Sequence, residues 1–198
     1  MLYTRKGDDG TTKTIASKER FSKSSSIAEA LGVLDELNSL IGLCKAKAGD
    51  FLLSFGEKKL LLEEILHEIQ EKLFIIQAEI AGPLFPPVGG SSETSSLMNV
   101  PEEKIKEIEK IIDLIEKEIS PVKSFFIPGE NKLSAIIDLA RTVARRAERE
   151  VIGARDENMI KISSSSLSYL NRLSSLLYAL ARIVNHEKGR TEKIPNYK

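Results

Sequence analysis

The chain has 198 residues, enough for one domain with a sizeable core. Hydrophobic residues are 41% and charged residues 29%, which excludes a disordered chain. The 29 basic and 29 acidic residues balance, so bulk binding of nucleic acid is not indicated, and no apolar run approaches the roughly 20 residues of a membrane span.

The opening residues, MLYTRKGDDG, are polar and do not resemble a signal peptide. Residues 1–24 lack helical periodicity. Within them TRKGDDGTT (4–12) combines glycines, acids and hydroxyls. Such a segment can fold into a tight turn whose backbone N–H groups face inward, the arrangement that cradles anions. Arg5, Lys6, Lys13, Lys18, Arg20 and Lys23 add positive charge. An ordinary mobile N-terminus is the alternative. The spacing is not that of a Walker loop.

A first helix is predicted over 26–47, opened by a Ser26/Glu29 capping box. Its apolar stripe is Ala30, Leu34, Leu37, Ile41 and Cys44. The only cysteine, Cys44, cannot form an intrachain disulfide and reads as a small core residue. A cytoplasmic protein is the default. Asp35 and Asn38 are polar positions within this helix, and Glu36 reads as solvent-facing polarity. Gly49–Gly56 breaks the chain.

A second helix is predicted over 57–81, with Leu61, Ile65, Ile69, Leu73, Ile76 and Ile80 on one face. Glu64 and His67 form an E-x-x-H pair. A carboxylate-bridged di-iron bundle needs two such pairs, and the other histidine, His186, has Ile183 three residues before it. No metal site is assigned. Residues 82–96 read as loop. Pro101, Glu102 and Glu103 start a third helix over 101–118, with Ile105, Ile108, Ile111, Ile112 and Ile115 as its face, and Pro121 ends it.

The stretch FFIPGENKLSAIIDLARTVARRAER (125–149) runs from two aromatics and a Pro-Gly turn into a fourth helix, predicted over 131–154. Ile136, Ala140, Val143, Ala147 and Val151 make a buried stripe. Arg141, Arg145 and Arg149 recur every fourth residue, and Glu148 shares their side. At about 100° per residue this row lies beside the stripe. Guanidinium forks so spaced suit phosphate or carboxylate. An interhelical salt-bridge seam is the competing reading. A fifth helix is predicted over 163–187, capped by Ser163–Ser166, with Leu167, Leu170, Leu173, Leu177, Leu180 and Val184 as its face. The tail GRTEKIPNYK reads as extended. No stretch reads as a strand. The expectation is a single all-α domain over 1–198, a five-helix bundle (25–187) carrying an extended N-terminal segment (1–24).

Three separated motifs carry a resemblance. They are YTRKGDDGTT with a later R-x-x-K (Arg20, Lys23), EALGVLDELNSLIG (29–42), and the 125–149 stretch followed by YLNRLSSLLYALAR (169–182). Together, from Tyr3 to about Arg182, they resemble the PduO-type ATP:cob(I)alamin adenosyltransferase family. The resemblance implies transfer of the 5′-deoxyadenosyl group of ATP to cob(I)alamin, giving adenosylcobalamin and triphosphate. It implies a homotrimer with active sites between subunits, magnesium accompanying ATP, and cobalamin as substrate. A flavin reductase and a B12-dependent enzyme become expected partners.

Carried over by position, the N-terminal segment contributes Thr4, Arg5, Lys6, Gly7, Thr12 and Lys23 to ATP, making it the nucleotide-binding segment. The helices contribute Arg145, Arg146, Glu148, Arg149 and Asn171. Asp35 and Arg141 match a pair that bridges subunits near the corrinoid. Phe125 matches the aromatic that helps displace the corrinoid's lower axial base. Arg145, Asp35, Arg141 and Phe125 are thereby the residues expected to act in the reaction. The sequence departs from the family at Glu130, where a second glycine is usual, at Asp138, where histidine is frequent, and at Ser175, where aspartate is common. Asp138 lies one turn before Arg141 and could pair with it. The alternative is a non-catalytic corrinoid- or nucleotide-binding bundle, a chaperone or sensor.

Overall fold

The computed structural model describes residues 3, 5–14, 17, 19–82, 99–121 and 124–197. Thr4, Lys18 and the expected loop 82–96, apart from Gly82, lie outside these residues. Five helices carry the fold: α1 (Ser26–Ala48), α2 (Leu62–Ala81), α3 (Glu102–Glu118), α4 (Lys132–Asp156) and α5 (Ser164–Glu187). α1 packs against α2 and α4, α4 against α5, and α5 against α3.

The predicted stripes fill the core. Ala30, Leu34, Leu37, Ile41 and Cys44 of α1 are all fully buried. Burial pushes the Cys44 thiol up to about 12, so it stays protonated and chemically inert. On α4 the buried set includes Ala140, Ala144 and Ala147, whose small side chains let α1 and α5 approach closely on either side. Ile136 is only half-buried, and Ile137 takes the core position instead. α5 is the most enclosed helix. Beyond the predicted face it buries Leu176, Ala179, Ala181 and Ile183, because α4 and α3 cover it from two sides. α3 is the reverse case: of its five isoleucines only Ile108 and Ile115 are buried.

Two short antiparallel hairpins correct the expectation of no strands. β1 (Thr11–Thr12) pairs with β2 (Phe21–Ser22), and β3 (Leu52–Phe55) pairs with β4 (Lys58–Leu61). The second hairpin occupies the predicted break and the first turn and more of the predicted second helix. LLSF and KKLL flank Gly56-Glu57, and Gly56 has φ 61, as the first position of a II′ turn requires. Leu53 and Phe55 alternate into the core, and Ser54 N donates to Glu187 Oε1 at 2.9 Å, tying the hairpin to the end of α5.

Helix starts follow the sequence in part. Ser163 accepts from Ser166 N at 3.2 Å, and Asn131 accepts from Leu133 N at 2.8 Å. The Ser26/Glu29 box does not form. Ser25 is the N-cap, and its hydroxyl donates to Ser22 O at 2.7 Å, because the chain enters α1 through a turn directly after β2. Pro101 stands at the N-cap of α3, one residue before the expected N1.

Leu173, fully buried on α5, tests this packing. Leu173→Ala should lower unfolding free energy by about 2–5 kcal/mol, read as a shifted denaturant midpoint with an unchanged slope.

Candidate active site

The N-terminal segment is built as a braced loop. Asp9 Oδ1 accepts from Thr11 N at 2.9 Å and from the Thr11 hydroxyl at 2.7 Å, and these bonds hold its carboxyl below the usual range. Arg20 reaches across from the strand side. Its Nε donates to the Thr11 hydroxyl at 2.6 Å, and its Nη2 donates to Thr11 O at 2.8 Å and to Lys6 O. Lys23 Nζ donates to Gly7 O at 2.8 Å. A Cβ at Gly7 would stand 3.1 Å from both Lys23 Nζ and Thr11 O, so any side chain there would force these groups to shift. Arg5 adopts φ 59 and Gly10 φ 77, which gives the tight reversal the sequence implied.

The arginine row of α4 separates into distinct environments. Arg141 donates through Nε to Asp138 Oδ1 at 3.1 Å, the pairing that their spacing suggested. Arg146 forms an ion pair with Glu36 of α1, so Glu36 is more than solvated polarity. Arg145 and Arg149 are exposed, and neither is in an ion pair among the described residues; Arg149 Nη1 donates only to Arg145 O, at 3.0 Å. The interhelical seam therefore accounts for Arg146 and leaves two guanidinium groups uncompensated. Glu148 Oε1 accepts from Asn171 Nδ2 at 2.9 Å, joining α4 to α5 beside this row.

Below the row opens a cavity of about 700 Å³ between α3, α4, α5 and the segment before α4. Ile112, Ile115 and Ile119 form an apolar wall, and Arg141 and Arg145 sit opposite with Ser175 and Tyr178. Phe125 and Phe126 stand at its edge. Phe125 is 77% exposed, so it is not a core residue of its own chain. The wall is anchored by Asp138 and Arg182, each under 5% exposed, bonded at 2.5 Å through Oδ2 and Nη2. Arg182 lies over the rings of Tyr178 at 4.8 Å and Phe126 at 5.6 Å. Its Nε is 2.9 Å from Glu192 Oε1 of the tail. Burial raises the Glu192 carboxyl above its usual range, against lowering by the Asn185 amide and Arg182.

Sequence reasoning missed this inner shell. Tyr178 and Arg182 were visible at i,i+4 spacing within YLNRLSSLLYALAR, but nothing in that pattern distinguished them from helix polarity. Glu192 carried no signal. His67, by contrast, sits on an exposed face, 3.9 Å from Glu71 and 3.4 Å from Lys45 Nζ.

Among the described residues, none from the N-terminal segment lines the cavity. Ser24, Ser25 and Ser26 line a cleft with Glu150, Glu157 and Met159, which places the loop's exit at the far end of α4. Arg145 is about 18 Å from Glu157 at 1.5 Å rise per residue. No hydrogen bond or ion pair joins Arg5, Gly7, Thr12 or Lys23 to α4 among the described residues. Asp35 lies exposed on α1 and makes no contact with Arg141.

A helical bundle with a braced anion-type loop and an arginine-edged aromatic cavity is a ligand-binding bundle of a specific kind. The sequence model of the family described as cobalamin adenosyltransferase matches residues 2–184, and the chain belongs to that family. The corrinoid adenosyltransferase PduO of Citrobacter freundii is 36% identical over 186 residues, covering 94% of this chain and 50% of its own. The chain thus spans about half the length of that relative and of the Salmonella typhimurium PduO, which is 37% identical. A second Citrobacter freundii corrinoid adenosyltransferase is 34% identical over 92% of this chain and 93% of its own. Among solved structures, a variant PduO-type ATP:corrinoid adenosyltransferase from Lactobacillus reuteri, complexed with cobalamin and ATP, matches with TM-score 0.80 and 28% identity, covering 100% of this chain and 97% of that one.

Arg20→Ala should loosen the loop without touching the bundle. Amide hydrogen exchange at residues 7–12 is expected to quicken while the global unfolding midpoint holds, since the guanidinium bonds only within this segment.

Proposed function

We propose that the chain is an ATP:corrinoid adenosyltransferase, transferring the 5′-deoxyadenosyl group of ATP to cob(I)alamin. The observation that carries this is the single cavity in which an apolar and aromatic wall meets Arg141 and Arg145, continued along α4 by the uncompensated Arg149. A flat macrocycle needs the first surface and a polyphosphate needs the second.

The Co(I) centre of the substrate is the nucleophile. Its electron pair forms the Co–C bond to C5′ as the C5′–O bond breaks, and triphosphate leaves with the electron pair of that broken bond. The protein therefore supplies no nucleophile. Its task is to hold charge on the leaving group and to align C5′ with cobalt. Arg145 and Arg149 provide guanidinium forks, and the Gly7–Thr12 turn with Lys23 provides backbone N–H groups and an ammonium. Magnesium accompanying ATP would lower the charge that these residues have to hold. The Asp9 carboxylate is already committed to Thr11, so the loop fits a phosphate better than a caged cation.

The separation of loop and cavity supports a site shared between copies of the chain, the loop of one completing the arginine row of the next. A homotrimer is the arrangement we propose, with Asp35 reaching Arg141 across the interface. Thr4, Arg146, Glu148 and Asn171 complete the proposed ATP contacts. Arg146 then keeps its pair with Glu36 or exchanges it for phosphate. A flavin reductase would supply the electron that converts Co(II) to Co(I), and a B12-dependent enzyme would take the product.

Phe125, exposed where it lines the cavity, would press against the corrinoid face and keep the lower base away. Removing that ligand makes cobalt easier to reduce.

Arg145→Ala should keep the melting temperature and cut transfer from pre-reduced cob(I)alamin by about 100-fold, read as loss of the Co(I) absorption band under anaerobic conditions with Mg-ATP. Near-normal turnover would remove Arg145 from the reaction. Phe125→Ala should bind ATP normally and react well from Co(I), yet fail when the substrate is offered as Co(II) with a reductant. Equal rates from both starting states in wild type and variant would dismiss the wedge.

A further inference from the structure

The residues after α5 lie beyond the 2–184 match to the family, yet they hold the cavity's aromatic edge. Ile127 N donates to Lys193 O at 2.8 Å. Among the described residues this is the one backbone hydrogen bond that segment 124–130 makes to another part of the chain. The adjoining residue of the tail, Glu192, has a side chain only 13% exposed. It accepts from Asn185 Nδ2 at 2.7 Å and lies 2.9 Å from Arg182 Nε. Arg182 in turn stacks on Phe126 and bonds Asp138, which bonds Arg141. Phe125 therefore directly precedes two residues that the tail fixes, Phe126 through Arg182 and Ile127 through its backbone hydrogen bond. Phe125 itself has little packing to hold it.

We propose that the C-terminal tail is a strap for the corrinoid side of the site, and that Glu192 is a positioning residue that sets Phe125 through Arg182 and the Ile127–Lys193 clip. The inference rests on the adenosyltransferase reading and adds to it the element that sets its aromatic wedge. Glu192 need not touch substrate. A misplaced wedge harms only the step that needs the lower base removed, so the requirement falls on Co(II) substrate and not on Co(I).

The test uses the 198-residue chain with Glu192→Ala and Glu192→Gln. Transfer is measured from Co(II) with a reductant and from pre-reduced Co(I). The EPR spectrum of bound Co(II) reports whether the lower-base nitrogen is still on cobalt. Glu192→Ala should lose about tenfold or more from Co(II) while the Co(I) rate changes little. Its nitrogen superhyperfine splitting should persist where wild type with ATP loses it. Glu192→Gln keeps the oxygen that accepts from the Asn185 amide and faces Arg182 Nε, and should restore both readouts in large part. An unchanged Co(II) rate in Glu192→Ala overturns the strap. Equal losses from Co(II) and Co(I) overturn it too, because they report a general structural defect. If wild type itself transfers nothing from pre-reduced Co(I), the adenosyltransferase reading falls and the strap falls with it.

Discussion

The buried pair of Asp138 and Arg182 is the constraint around which the functional end of this bundle is arranged. It crosses from α4 to α5 with both side chains removed from water. A pair in that setting adds little net stability, because desolvating two charges offsets most of their attraction. Its effect is positional. Asp138 has two oxygens: one holds Arg182 and the other holds Arg141 at the cavity. Arg182 has two faces and an edge to offer, and it uses them on Tyr178, Phe126 and Glu192. One carboxylate thus fixes a cationic wall and an aromatic wall at once. A neutral side chain at position 138 could not carry the charge that two guanidinium groups require.

Charge is treated differently at the other end of the molecule. In the N-terminal loop, Arg20 and Lys23 spend their donors on backbone carbonyls, and Asp9 spends its oxygens on Thr11. These bonds are exposed, so each contributes modestly. Their combined effect is to hold a short, glycine-dependent turn with few apolar contacts in one shape. On α4 the cations of Arg145 and Arg149 are left without acidic partners. Arg141 lines the cavity while paired with Asp138, so the row carries both compensated and uncompensated guanidinium groups.

The packing explains why a cavity can exist here at all. α3 packs mainly on α5, with lesser contacts to β3 and an ion pair from Lys104 to Glu68 of α2, and buries only two of its isoleucines. The remaining apolar surface of its C-terminal half faces the open space toward Tyr178 and the Phe125–Phe126 segment. A fully covered α3 would have closed that space.

Much of this was legible in the sequence. Helical periodicity named all five helices, because a buried stripe every third or fourth residue has few other solutions. The anion-type loop could be read from its glycines and hydroxyls, and the arginine row from its spacing. The β3–β4 hairpin was not read, since LLLEEILHEI continues a helical pattern and only Gly56 argued for a turn. Sequence could not say which arginines of the row are paired, because Glu36 is 110 residues from Arg146 and periodicity carries no long-range information. It could not reveal that Arg182 is buried, that Phe125 is exposed, or that Glu192 folds back onto α5. The elements and the stock of charges were set locally, by side-chain pattern along the chain. Which charges neutralise one another, and which remain for a ligand, was decided only by tertiary packing, because burial and partner distance exist only once the helices are assembled.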